Sequence, residues 1–345
     1  LVISDIKIER LRGIREGELK HLTPLTILVG GNGSGKSTVL EALYIAGATN
    51  PLNAIGESVL RRADIPLSHR WLLYKGGRDG YATIKCETTS SVPSTIRVEI
   101  PSLHNNRLEL SFDSFYPASG KGVNHINRTP VVFRSEATKP VYETTDSLNP
   151  TQQNAVLLEP LNSAGSLSNE INLTLCKLHS KAEQTDKSTF VQDMLKRVIS
   201  NFDSLQLQVD EGDLRPILHA KLKGYTVPAI FLGDGIVATI YMALEIATQQ
   251  ASVVLLEEPE VHQHYRTMHL TAKVLWAAVK QGIQVILTTH SLEFIDEILA
   301  ARPDDASLED LSLVQTNLRD GVLIPIRYHG EGVHFARTQV AEDLR

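Results

Sequence analysis

One stretch near the start constrains this chain more than any other: Gly30-Gly31-Asn32-Gly33-Ser34-Gly35-Lys36-Ser37, followed by Thr38. It fits G-x-x-x-x-G-K-[ST], and its surroundings are those the motif demands. A continuous apolar run over 25–30 (LTILVG) stops at the glycines, as a central strand should. From Lys36 to about Gly47 the pattern is helical, with Val39, Leu40, Leu43 and Tyr44 along one stripe. Strand, glycine-rich loop and helix together make a phosphate cradle. Gly30, Gly33 and Gly35, with Asn32 and Ser34 between them, let backbone N–H groups curl round phosphate oxygens without Cβ clashes. The helix N-terminus behind them adds favourable dipole charge. The motif assigns Lys36 to the β- and γ-phosphates and the Ser37 hydroxyl to Mg²⁺, with Thr38 beside them. This much says nucleoside triphosphate and Mg²⁺, and leaves ATP and GTP open.

Two later runs repeat one design, an apolar strand with polar chemistry at its carboxyl end. Val253-Val254-Leu255-Leu256 ends in Glu257-Glu258-Pro259-Glu260. One carboxylate there can hold the metal shell and the next can orient or deprotonate an attacking water; Glu257 is given the first role and Glu258 the second. Val285-Ile286-Leu287-Thr288-Thr289 ends in His290-Ser291. A neutral imidazole at that position can bond the γ-phosphate or the water attacking it. In open α/β sheets ligands gather outside the carboxyl ends of the strands, where Lys36, Glu258 and His290 would converge.

The rest of the chain is read around these anchors. At 345 residues, 42% hydrophobic and 21% charged, it has ample length for a buried core. No run approaches the ~18 apolar residues of a membrane span. The opening LVISDIKIERLRGI lacks the basic and apolar regions of a signal peptide, and Leu1 stands where Met is expected, which suggests trimming or further residues before it. Cys86 and Cys176 lie in apolar patterns with no CxxC partner, so two reduced, buried thiols of a cytoplasmic protein are expected. The net charge of −6 gives no whole-molecule attraction for nucleic acid.

Residues 2–9 alternate as a half-buried strand, and 81–88, 94–100 and 107–112 read as an antiparallel meander, with 131–134 as one more strand. From about 164 to 203 the pattern is helical, strands return from 205, and from 234 helices and strands alternate. The expected fold is α/β, a P-loop NTPase with a mixed central sheet, an antiparallel β meander and a small inserted helical lobe. It is expected as one domain over 1–345, with lobe I at about 1–140 and 205–345 and the helical lobe at about 141–204.

P-loop, then EEPE on a strand, then TTHS on the next strand resembles ABC-type ATPases, and more narrowly the SMC-like and OLD-like (overcoming lysogenization defect) ATPases. The resemblance covers the first 50 residues and roughly 205–300, with a weaker match at the terminal EDLR. It implies ATP as the nucleotide and an ATP-dependent homodimer. It also implies a signature segment that contacts ATP held by the second protomer. Leu232-Gly233-Asp234-Gly235-Ile236 stands in that place, with Gly233, Asp234 and Gly235 as its residues; its plainer reading is a glycine turn with an Asp N-cap. Glu257 stands where many members have Asp, and Gly233 where a serine is usual. No Q-loop is identifiable: Arg134-Ser135-Glu136 follows VVF, and Gln152-Gln153 is a guess by position. Val261-His262-Gln263-His264 sits where the family places an inter-protomer loop and has no zinc-site spacing.

The resemblance further implies a DNA-related process, repair or defence against foreign DNA, with DNA or a nuclease effector as partner. A transporter's nucleotide-binding subunit is the alternative, opposed by the 195 positions separating Thr38 from Gly233 and by the absence of LSGGQ. A non-hydrolysing ATP-dependent scaffold is another, opposed by intact Lys36, Glu258 and His290. About 45 residues follow the last ATPase helix, too few for the Toprim nuclease domain of OLD-like proteins, so cleavage would fall to a partner chain.

Overall fold

The computed structural model describes residues 2–48, 54–58, 71–76, 81–89, 94–100, 107–115, 126–136, 139–143, 155–158, 168–209, 215–249, 251–261 and 263–345. The chain opens on a hairpin of β1 (Ile3–Leu11) and β2 (Ile14–Leu19), followed by β3 (Leu25–Val29) and α1 (Lys36–Gly47). Next come β4 (Ala82–Thr88), β5 (Ser94–Ile100), β6 (Arg107–Phe115), β7 (Ile126–Glu136), β8 (Lys139–Glu143) and β9 (Ala155–Leu158). Two helices follow, α2 (Ser168–Gln184) and α3 (Ser188–Val198), then a small sheet of β10 (Phe202–Val209), β11 (Pro216–Leu222) and β12 (Tyr225–Pro228). The last third alternates: α4 (Asp234–Thr248), β13 (Val253–Glu257), α5 (Tyr265–Lys280), β14 (Gln284–Thr288), α6 (Leu292–Ala300), β15 (Leu311–Arg319), β16 (Val322–His329) and α7 (Gly330–Phe335).

The described strands outside β10–β12 form a 13-stranded mixed sheet in the order β8-β7-β6-β5-β4-β1-β2-β16-β15-β3-β14-β13-β9. The block β15-β3-β14-β13-β9 is parallel, and the arm from β2 to β8 is antiparallel throughout. The mixed α/β architecture with its meander is therefore the one the sequence predicts. The strand expected at 131–134 is longer, and pairs on both edges.

The parallel strands read as unbroken apolar runs because both of their faces are covered. Leu25, Ile27, Val29, Val254, Leu256, Val285 and Leu287 face a core built with the helices α2 to α6. The alternate residues Leu28, Val253, Leu255 and Ile286 face a second core with α1, β1 and β4. Strand β1 alternates only over Asp5–Glu9: a register shift against β4 lies between Ile3 and Asp5, and Arg10 turns to φ 58° before buried Leu11.

The range expected as a helical insertion, about 141–204, is narrower than that. Strand β9 lies inside it yet pairs in parallel with β13 as a strand of the main sheet, Val253 opposite Ala155 and Leu256 opposite Leu158. Four apolar residues suffice for a strand covered by helices, and carry too little pattern to stand out from a helix. The helices α2 and α3 bury Leu175, Val191, Met194, Leu195 and Val198 in the same core as α4 and α5. The Gln152-Gln153 guess for a Q-loop and His262 lie outside the described residues.

Candidate functional site

Strand β14 lies between β3 and β13, with Leu28, Thr288 and Glu257 in one register across the three. Their carboxyl ends therefore open at the same level, and three loops leave from it. The loop after β3 is the phosphate loop. It needs its glycines: Gly30, Gly33 and Gly35 have φ of 142°, 76° and 96°, a region that favours glycine. At Gly30 a Cβ would also collide with the Thr316 carbonyl and the Ser34 hydroxyl. Thr316, on β15, bonds Ser34 Oγ at 3.0 Å and donates to the Val29 carbonyl at 3.0 Å, which ties the loop to the sheet. Around Gly31 and Gly33, by contrast, no heavy atom lies within 4 Å of where a Cβ would stand. The loop is fixed at its root and open over its crown.

Helix α1 starts behind it at Lys36. Its N-cap is Gly35, no side chain caps it, and its first turn holds no acid, so its N–H groups and dipole face outward uncompensated. Lys36 is buried, its ammonium donating to the carbonyls of Gly30 at 2.8 Å and Gly31 at 3.1 Å. Burial pulls its pKa down, and the carboxylates of Glu258 and then Glu257 act in the opposite sense. The lysine of one loop thus feels both acids of another. Ser37 and Thr38 are half-buried in the same turn, and Asn32 is exposed on the loop.

The loop after β13 carries Glu258 at φ 46°, a left-handed conformation uncommon outside glycine. Its N–H donates to both the carbonyl and the Oγ1 of Thr288, each at 3.1 Å, which holds the strained turn against the neighbouring strand. Its carboxylate Oε1 lies 3.1 Å from His290 Nε2, in the loop after β14, and both side chains remain partly open to solvent. Such a pair can take a proton from a water molecule and hand it on.

These elements bring Lys36, Glu257, Glu258 and His290 to one face, together with Ser37 and Thr38. The protein groups fit a magnesium nucleotide: an open glycine cradle, a desolvated lysine, one hydroxyl and an acid pair. Among the described residues no cluster of three His, Cys, Asp or Glu side chains could hold a metal by itself. Magnesium, held by one or two protein groups plus phosphate oxygens, does not ask for one.

The family profile described as "AAA domain" matches residues 5–211. The chain belongs to that family. A second profile, "AAA ATPase domain", matches residues 128–295, so the two together run across both halves of the site. In sequence, this AAA domain is 20% identical over 367 residues to an "ATP/GTP phosphatase" of Helicobacter pylori, covering 97% of each chain. It is also 31% identical over 103 residues to the "Uncharacterized protein MJECL11" of Methanocaldococcus jannaschii, across 30% of this chain and 80% of that protein. In fold it is similar to an SMC head solved with the C-winged helix domain of ScpA (TM-score 0.57, 14% identity, 96% of this chain and 99% of that one). The SMC head domain of Thermotoga maritima (TM-score 0.51, 13%, 95% and 100%) and that of Pyrococcus furiosus (0.54, 14%, 99% and 100%) are similar too. The fold is that of the SMC head domains.

Among the described residues of this AAA domain no hydrogen bond or ion pair joins Gly233-Asp234-Gly235 to the phosphate loop. The segment opens α4, with Gly233 and Asp234 exposed, and Gly233, not Asp234, is the N-cap, at φ 21°. Asp234 sits inside the first turn, which corrects the reading of it as the cap. A Cβ on Gly235 would collide with Thr267 Oγ1, so the starts of α4 and α5 touch. His264 caps α5, its ring accepting from Arg266 N at 3.4 Å and packing 4.4 Å from the Tyr265 ring.

Sequence reasoning passed over three residues of the site: Thr316, Thr288 and Glu260. Thr316 sits 282 positions from Ser34 with no motif round it. Glu260 carried a signal that went unused, a third acid within four positions where two roles were enough.

Proposed function

We propose that this chain is an ATP-hydrolysing switch that closes as a homodimer round ATP. The observation that carries the reading is the convergence of Lys36, the Glu258–His290 pair and the open glycine loop at three adjacent strand ends. Gly30 and Asn32 to Thr38 embrace the phosphates. Lys36 exchanges its two carbonyl partners for phosphate oxygens, which relieves its burial among neutral groups. Ser37 and Glu257 hold the Mg²⁺, which when bound neutralises phosphate charge. Glu258 takes the proton of the attacking water, and His290 keeps that carboxylate oriented by donating to it from Nε2.

The second protomer supplies Gly233, Asp234 and Gly235. Exposed backbone at a helix start, beside exposed Phe231, Val261 and Tyr265, supports a protein–protein face there. Because only the closed pair completes the site, ATP binding favours closure and hydrolysis releases it. EEPE and LGDG, in that arrangement, support an OLD-like relative acting in the cytoplasm on a DNA-related process, in repair or defence, with DNA or a nuclease as partner. The likeness to an "ATP/GTP phosphatase" makes GTP the competitor to test beside ATP. No helix among the described residues is long and apolar enough to cross a membrane.

Steady-state hydrolysis with Glu258→Gln tests the reading. Turnover should fall by about 100-fold or more while ATP still binds, because the amide keeps the shape and loses the base. Turnover persisting in that variant would remove Glu258 from the role. Stimulation of the wild-type rate by DNA checks the proposed process.

A further inference from the structure

Glu260 has no role in the mechanism above, yet it is the most buried of the three acids of EEPE, at 5% exposure. A carboxyl group is rarely placed there without partners that need it. Its Oε1 accepts a short hydrogen bond from Thr289 Oγ1 and a longer one, 3.4 Å, from the backbone N–H of His290. The Thr289 hydroxyl in turn accepts from Ser291 N at 3.0 Å, and Ser291 Oγ caps α6 by accepting from Phe294 N at 3.0 Å. The turn from β14 into α6 is thus tied to one carboxyl oxygen through the Thr289 hydroxyl and the His290 backbone, beside the Thr289 N–H that donates to the Leu28 carbonyl at 3.1 Å.

The loop that carries Glu260 is itself anchored. Gln263 donates its backbone N–H to the Glu260 carbonyl at 2.9 Å and its side-chain amide to the Pro259 carbonyl at 2.7 Å. Its own amide oxygen accepts from Thr271 of α5 at 2.9 Å. Two residues before Glu260 stands Glu258, in its strained turn. One short anchored loop therefore presents the acid that meets His290 and also the carboxyl that fixes the backbone of His290. Burial pushes the Glu260 carboxyl pKa upward, in keeping with a group that works by accepting hydrogen bonds in a dry place.

We propose that Glu260 is a positioning residue for ATP hydrolysis, holding the Thr289–His290 turn so that the His290 imidazole stays on the Glu258 carboxylate. This rests on the ATPase reading given above. In this role Glu260 acts through Thr289 and the His290 backbone, and binding of ATP does not depend on it.

The test compares Glu260→Ala, Glu260→Gln, Thr289→Val and the Glu260→Ala/Thr289→Val double variant of the full chain, with wild type and Glu258→Gln alongside. In Glu260→Ala and Thr289→Val, kcat should fall by about 10- to 100-fold with KM for ATP changed by less than about threefold. Glu260→Gln should stay within about threefold of wild type, since its amide oxygen still accepts both bonds. The double variant should be no slower than the slower single, because both lesions cut one link. Unchanged kcat in Glu260→Ala, equal losses in the Ala and Gln variants, or additive losses in the double would each overturn the proposal. Should Glu260→Ala not fold, a normal rate in Thr289→Val would overturn it alone.

Absence of turnover in wild type would sink the ATPase reading instead. The positioning is then read from the His290 ring resonances by NMR. They should be sharp and alike in wild type and Glu260→Gln, and shifted or broadened in Thr289→Val. Identical resonances in all of them would show that the turn does not depend on the link.

Discussion

Lys36, Glu258 and Glu260 each occupy a place that costs free energy, and the cost is met by named neighbours. Lys36 gives up hydration for two carbonyls and the field of two acids. Glu258 adopts a left-handed backbone held by Thr288. Glu260 is buried with one oxygen bonded and the other, Oε2, without a hydrogen-bond partner among the described residues. The last of these has a pH signature. Because burial raises the Glu260 pKa from its ordinary 4.5, the folded chain holds that proton more tightly than the unfolded chain does. The stability this contributes is complete below the ordinary value and is lost as pH rises through the raised one. Glu260→Gln has no such proton to lose, so its unfolding free energy relative to wild type should grow as pH climbs from acid to neutral. Urea unfolding at a series of pH values measures this, and a difference flat with pH would contradict it.

At the scale of elements, the starts of α4 and α5 pack closely together. Gly235 lies so close to Thr267 that a methyl group has no room. Gly235→Ala should therefore destabilise the chain by about 1–3 kcal/mol, the usual cost of overpacking, and Thr267→Ala should recover part of it. Thermal unfolding of the two single variants and the double decides; equal stability of Gly235→Ala and wild type would mean the joint is loose. Much of this level was legible in the sequence. The strands β3, β13 and β14 announce themselves because they are covered on both faces, and the polar residues at their ends stand out against apolar runs. Helix α1 was legible from Lys36 to about Gly47, although every residue from Val39 to Gly47 is buried and not one stripe alone. Strand β9 was not, because Ala155–Leu158 is short enough to fit either pattern and its strand character comes from β13 beside it. Nor was the Thr316 contact with Ser34, since a threonine within a β-strand looks the same whether it faces a core or clamps a loop. The burial of Glu260 was invisible for a related reason: three acids in four positions read alike until Thr289 is folded over one of them.

Over the whole molecule, a two-faced sheet gathers loops from both ends of the chain at the carboxyl ends of the parallel block. Segment order made that gathering predictable, and the AAA domain profiles and SMC head folds are consistent with it. Among the described residues no bond ties Gly233–Gly235 to its own phosphate loop, in keeping with the proposed second copy that completes the site. Mixing two dead variants tests this most directly. Lys36→Ala disables the phosphate loop, and Gly233→Trp disables the segment offered to the partner. In a two-fold pair made of one of each, one composite site keeps both halves intact, so the mixture should regain hydrolysis, up to about a quarter of the wild-type rate for random pairing. A mixture as inactive as its two components would contradict the claim.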